Sequence, residues 1–199
     1  MNGGPVIVLV HEIHGVNEHM LSTRDVLASI TGLRTVVPGL LDPASEAAVS
    51  DEIAYRRFMS TIGCEGMAER LQRYIGLLRH QHDEIYCVGF SVGATASWLA
   101  ACAGGVDLAV CVYGSRIRDH LAAGPRCPAL VVFAADEPSF DVGQVAETVA
   151  RFDGVDVEVI PAAHGFCNPA DGAFDESHRT KLVDKIADFL LTVGVRSDE

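Results

Sequence analysis

Positive charge is scarce in this sequence. Only 15 Lys and Arg stand against 27 Asp and Glu, a net charge of −12 over 199 residues. Such a surface repels phosphate backbones and anionic lipid, which excludes nucleic acid and the membrane as partners. A C-x-x-C pair is also missing. The six cysteines (Cys64, Cys87, Cys102, Cys111, Cys127, Cys167) are scattered, and three of them, Cys87, Cys102 and Cys111, fall inside apolar runs. There a thiol serves as a small buried hydrophobe. The pattern excludes a disulfide scaffold and leads to the expectation of a reduced, cytoplasmic setting. Long apolar runs are absent as well. Val6–Val10 is too short for a signal or membrane helix, and Met1-Asn2-Gly3-Gly4-Pro5 lacks a charged leader. Low-complexity tracts, repeats and linkers are not found. With 49% apolar residues, the expectation is one globular domain over 1–199, a monomer by default.

What the chain does have is alternation. Six β-rich apolar runs, each bounded by turn residues, lie at Pro5–Val10, Arg34–Val37, Ile85–Phe90, Leu108–Tyr113, Ala129–Ala134 and Val155–Ile160. Segments with helical periodicity fall between them, at about His19–Thr31, Ser45–Ser60, Gly66–His80, Val92–Ala103, Val142–Phe152 and Glu176–Val193. Near-continuous apolar strands alternating with helices predict an α/β fold, a mostly parallel sheet of about six strands with helices on both faces. One long irregular stretch, Gly39 to Glu52, is placed to hang over a binding site.

The run Ile85–Val88 leads directly into Gly89-Phe90-Ser91-Val92-Gly93, and a helix of small residues follows. A serine at a tight strand-to-helix turn is strained, with its hydroxyl pushed off the end of the sheet, and the flanking glycines let neighbouring backbone pass. The string alone is weak, since chance supplies it in roughly one chain in ten of this composition. Its context makes it a nucleophile elbow.

A serine hydroxyl needs a base, and the base needs an acid to orient it. The fifth run leads into Ala135-Asp136-Glu137-Pro138 and the sixth into Ala163-His164-Gly165-Phe166. Both loops lie at carboxyl ends of strands, where ligands bind in parallel sheets. Ser91, Asp136 and His164 therefore read as a catalytic triad in the chain order nucleophile, acid, base, with Glu137 as the nearest rival acid. If the first and third strands are neighbours, His11-Glu12-Ile13-His14-Gly15 meets the Ser91 turn. The backbone N–H groups of Val92 and Ile13 would then form the oxyanion hole.

With these pieces in view, the chain resembles the dienelactone hydrolase family of the α/β-hydrolases over nearly its whole length. The matching segments are Glu12-Ile13-His14-Gly15-Val16-Asn17, Gly89-Phe90-Ser91-Val92-Gly93, Val112-Tyr113-Gly114, Asp136 and Ala163-His164-Gly165-Phe166. The resemblance implies a compact α/β-hydrolase fold, with Ser91 as nucleophile, His164 as base, Asp136 as acid, and Ile13 and Val92 as oxyanion donors. It also implies that Glu12 is the family's extra glutamate beside the nucleophile. Many family members use cysteine as nucleophile, and there the glutamate helps to form the thiolate. A serine alkoxide cannot be stored in that way, so Glu12 is expected to bond the resting hydroxyl or to shape the pocket electrostatically. Either role predicts a partly buried carboxylate with a raised pKa. Members acting on dienelactone hold its carboxylate with arginines at two positions that are Asn168 and Asp51 here. Arg56 and Arg57 lie nearby and read as solvated helix-surface residues.

The expectation is a cytoplasmic serine hydrolase without cofactor or metal, cleaving a small ester, lactone or thioester. The alternative is a fold-retaining binding or regulatory protein without turnover. No long cap insertion follows Ser91, so the pocket should be small, with His14, Tyr55, Phe58 and Tyr113 as candidate lining. His11-Glu12-Ile13-His14 falls one residue short of a zinc-protease motif and lies at a strand end, where its histidines would point in opposite directions. Cys167 reads as structural. His80, His82, His120 and His178 read as solvated, and Gly104-Gly105 and Asp171-Gly172 as turns.

Overall fold

Runs of Val, Ile and Leu that are apolar at every position can satisfy themselves only in a sheet covered on both faces. That is their fate in the computed structural model, which describes residues 3–42 and 50–194. Among the described residues, the strands are β1 (Val6–Val10), β2 (Arg34–Val36), β3 (Ile85–Phe90), β4 (Leu108–Val112), β5 (Ala129–Asp136) and β6 (Val155–Ala163). They form one sheet in the order β2-β1-β3-β4-β5-β6, and every neighbouring pair is parallel. The helices are α1 (Glu18–Thr31), α2 (Asp51–Thr61), α3 (Gly63–Leu78), α4 (Val92–Ala103), α5 (Val142–Val149) and α6 (Glu176–Gly194), with a short 3-10 helix over Ser115–Asp119.

Strand alternation divides the core into two layers. Val6, Val8 and Val10 pack with Met67, Leu71 and Ile75 of α3 and Ala96 and Ala100 of α4. Ile7 and Leu9 point the other way, onto Met20 and Leu27 of α1 and Leu182, Ile186 and Leu190 of α6. A third cluster joins Trp98 of α4 to Val131 and Phe133 of β5 and to Val142, Ala146 and Val149 of α5. Local chemistry sets the helix ends. The Asn17 side chain accepts the Met20 N–H at 3.1 Å to start α1, and Gly32, at φ 69°, ends it.

The expected elements are present, with shifted ends. Strands β5 and β6 run on to Asp136 and Ala163, because the two continue to pair beyond a register shift between Ala134 and Asp136. Helix α5 stops at Val149, short of Phe152, and α3 begins at Gly63. The first part of the helix expected over Ser45–Ser60 falls outside the described residues; α2 is found from Asp51.

Strands β1 and β3 are neighbours, with Val10 opposite Gly89. The sheet grows from β1 towards β2 on one side and β3 on the other, so the chain reverses its direction of growth there. At that reversal Ser91 adopts φ 53°, ψ −118°, a left-handed backbone that L residues rarely take. The turn is packed tightly. A Cβ on Gly89 would fall 2.5 Å from Ser97 Oγ, and one on Gly93 would lie 2.5 Å from the carbonyl oxygen of His11 and still closer to that of Val10. The first turn of α4 therefore rests directly on the end of β1.

Two glycine substitutions of opposite sign test this packing. Gly93→Ala forces a methyl into β1 backbone and should cost about 3 kcal/mol or more. Gly76→Ala fills open space on the exposed side of α3 and should raise stability by about 0.5–1 kcal/mol. Urea denaturation midpoints measure both.

Candidate active site

The carboxyl ends of β1, β3 and β6 converge on a cavity of about 480 Å³ lined by Glu12, Ile13, His14, Tyr55, Ser91, Val92, His164, Asn168 and Asp171, among others. Ser91 enters from the elbow. Its Oγ lies 3.0 Å from His164 Nε2. His164 follows β6 in a turn that needs Gly165 at φ 84°. The other ring nitrogen, Nδ1, is hydrogen-bonded to Glu137 Oε1. A carboxylate can only accept, so Nδ1 carries the proton and Nε2 is left to accept from the Ser91 hydroxyl.

The acid facing His164 is therefore Glu137, and the assignment of Asp136 is corrected. Asp136 ends β5 with an exposed side chain, whereas Glu137 is buried. The register shift just before Asp136 turns the chain by one residue, and the residue that faces His164 is the next one. Ser91 and His164 meet in space, as their places after β3 and β6 led one to expect.

Burial pulls the His164 pKa down, but the hydrogen bond and charge of Glu137, with the charges of Glu12 and Asp171, outweigh it and hold the ring above its ordinary value. Glu12 is nearly sealed from solvent, at 5% exposure. Its Oε1 accepts from the Tyr113 hydroxyl at 2.9 Å and its Oε2 from the Asn168 amide at 3.0 Å. Burial raises its pKa, against the lowering pull of Tyr113, His164 and Asn168. It has the raised pKa foreseen, in a more complete burial. Its two oxygens bond to Tyr113 and Asn168, and the Ser91 hydroxyl bonds to His164 instead.

Ile13 and Val92 line the cavity on either side of Ser91. Val92 is the first residue of α4, so its N–H has no acceptor within the helix. Ile13 lies in a turn closed by the Gly15 N–H on the Glu12 carbonyl at 3.2 Å. The positive end of α4 points at the same place.

Of the expected lining residues, His14 and Tyr55 are in the wall and Phe58 and Tyr113 are not. Phe58 turns into the core beneath α2, at 2% exposure. Tyr113, at φ 41°, lies behind Glu12 with its ring centre 5.0 Å from that of His164. His14 Nε2 pairs with Asp51 Oδ1 at 2.8 Å, and the Tyr55 hydroxyl accepts from Arg116 Nε at 2.6 Å. Together these contacts hold α2 against the rim. Arg56 pairs with Glu52, and neither Arg56 nor Arg57 lines the cavity. Asn168 and Asp171 are functional candidates that the reading of residue types passed over or took for turn residues. The signal for Asn168 was its spacing from His164, for which the resemblance implied a substrate contact.

The decoys resolve into packing. His11 is fully buried, with Nδ1 on the Glu12 carbonyl at 2.7 Å and Nε2 accepting the Leu40 N–H at 3.0 Å. Cys167 is buried, and burial pushes its thiol pKa far up. His82 departs from expectation: it is buried and holds the Gly4 carbonyl at 2.7 Å, tying the start of the chain to the end of α3. Among the described residues, no group of three or more His, Cys, Asp or Glu is arranged to hold a metal, and no helix is long and apolar enough to cross a membrane.

The model of the dienelactone hydrolase family matches residues 2–194. The uncharacterized protein YczH of Bacillus subtilis (strain 168) is 35% identical over 176 residues, covering 87% of this chain and 86% of that protein. Carboxymethylenebutenolidase of Pseudomonas putida is 33% identical over 133 residues, 61% of this chain and 55% of that one. Among solved structures, a dienelactone hydrolase from Anabaena variabilis superposes with a TM-score of 0.69 at 20% identity, covering 96% of this chain and 87% of that chain. That last likeness concerns the fold, which is the α/β-hydrolase fold.

Because Glu137 contributes most to raising the His164 pKa, Glu137→Gln should lower that pKa, whereas Asp136→Asn should leave it in place. Imidazole resonances followed through a pH titration distinguish the two. The same shift has a stability sign. The protonated ring bound to Glu137 contributes stability that is fully present below the unfolded histidine pKa and is lost as pH rises through the raised folded value.

Proposed function

The chain belongs to the dienelactone hydrolase family, and within it we propose a serine hydrolase that cleaves a small ester, lactone or thioester through an acyl-enzyme on Ser91. The observation that carries this reading is the relay from Ser91 Oγ to His164 Nε2 at 3.0 Å, with Glu137 on the far side of the same ring.

In the proposed cycle, Ser91 Oγ attacks the carbonyl carbon as its proton passes to His164 Nε2. Negative charge moves onto the carbonyl oxygen, between the Ile13 and Val92 N–H groups, where fixed donors are worth more than water. Collapse of the tetrahedral species breaks the bond to the leaving oxygen or sulfur, which takes the proton from His164. Water then attacks the acyl carbon and gives a proton to the same nitrogen. The second collapse returns that proton to Ser91 Oγ and releases the acid. Glu137 keeps the ring in one tautomer and stabilises the imidazolium that forms.

A serine in this position needs no carboxylate to ionise it at rest, since His164 takes the proton only as the bond forms. That fits a Glu12 held by Tyr113 and Asn168. The cavity volume of about 480 Å³ suits a small substrate. Soluble, cytoplasmic action without cofactor or metal completes the reading.

A fluorophosphonate probe should label the wild-type protein and leave Ser91→Ala unlabelled. With a small-ester panel, Ser91→Ala and His164→Ala should each lose several orders of magnitude in kcat. Glu137→Gln should lose roughly 10³- to 10⁴-fold by analogy with loss of the orienting acid in other triads, and Asp136→Asn little. A folded wild type that neither labels nor turns over any ester would instead favour the binding protein.

A further inference from the structure

The cavity wall is unusual in its charge. Four carboxylates line it, those of Glu12, Asp51, Glu52 and Asp171, and no lysine or arginine does. Residues 43–49, outside the described part, carry no lysine or arginine either. Two of the four acids are matched at the rim, Asp51 by His14 at 2.8 Å and Glu52 by Arg56 at 3.4 Å. Arg116, which bonds the hydroxyl of the wall residue Tyr55, also pairs with Asp119 at 3.1 Å.

Among the described residues, the two inner acids form no ion pair with a lysine or arginine. Glu12 is capped by the neutral Tyr113 and Asn168. Asp171 is different. Its Oδ1 accepts the Ala173 N–H at 2.8 Å. Its Oδ2 is pressed over Gly165, where any Cβ would collide with it, and takes no hydrogen bond from the described residues. This oxygen thus lies beside the residue that follows His164, on a half-buried residue of the cavity wall, without a protein donor among the described residues.

His164 delivers its proton to the leaving alcohol, so the side of the cavity next to His164 and Gly165 is the side that receives that alcohol. We propose that the site selects esters whose alcohol portion carries an ammonium group, with Asp171 as the anchor, and rejects those whose alcohol carries a carboxylate. The inference rests on the serine hydrolase reading above and reverses the charge preference that paired arginines would give.

The test uses three acetates in which the alcohol HO–CH2–CH2–X carries trimethylammonium, its neutral isostere tert-butyl, or carboxylate as X. Acid release is followed in a pH-stat with Ser91→Ala as the blank. A single charge about 4 Å from a partly solvated carboxylate is worth roughly tenfold in each direction. The expected order of kcat/KM is therefore cation above neutral above anion, with cation and anion about a hundredfold apart. Asp171→Asn keeps an oxygen for the Ala173 N–H and should compress that ratio to below tenfold. A purely structural role for Asp171 would lower all three rates together and leave the ratio alone. An anionic acetate hydrolysed as fast as the cationic one, in a Ser91-dependent way, would overturn the charge inference and leave the hydrolase standing. Absence of both turnover and fluorophosphonate labelling would overturn the two together.

Discussion

The contact between the first turn of α4 and the carbonyl end of β1 is the constraint on which the site depends. Gly93 lies so close to the Val10 and His11 carbonyl oxygens that no side chain fits between them. This approach is what brings Glu12 and Ile13, which directly follow β1, beside a serine some eighty positions later in the chain. Because β1 and β3 are hydrogen-bonded along their length, the contact is fixed by the sheet itself. The elbow, the donor groups and the buried glutamate are thus positioned by one backbone approach, before any side-chain interaction among them is considered.

Upon that frame sits a second layer, made of the hydrogen bonds that hold Glu12 and His164. Burying a carboxylate such as Glu12 is costly unless donors meet it. Tyr113, placed behind it by a left-handed backbone at the end of β4, and Asn168 supply those donors. His164 has both nitrogens engaged, and the negative charges around it keep its proton affinity high. The electrostatic character of the cavity follows from acids that the fold buries or leaves unmatched.

Much of this was legible in the residues. Uniformly apolar runs separated by helical periods can form little other than a covered parallel sheet, so the strand positions and the neighbours β1 and β3 could be anticipated. Ser91 and His164 could be placed because each lies just past the end of such a run. Asp136 was misplaced for a specific reason. The choice between adjacent acids depends on strand parity, and the register shift at Ala134/Asp136 breaks parity where it was needed. Phe58 and Tyr113 were assigned to the wall because an aromatic near a site can face in or out, and only packing decides. The burial of His82 depends on its pairing with the Gly4 carbonyl, across a distance in sequence that no local pattern reports.

The left-handed backbone of Ser91 has a consequence for how this position can change over time. Two substituents on Cβ are poorly tolerated in that region of conformation, so threonine, chemically the nearest relative of serine, is shut out by geometry. Cysteine has the same unbranched shape and is not. An evolving lineage can therefore exchange oxygen for sulfur at this turn without disturbing the scaffold. Both the serine here and the cysteine of many relatives are stops on the one path that the backbone leaves open.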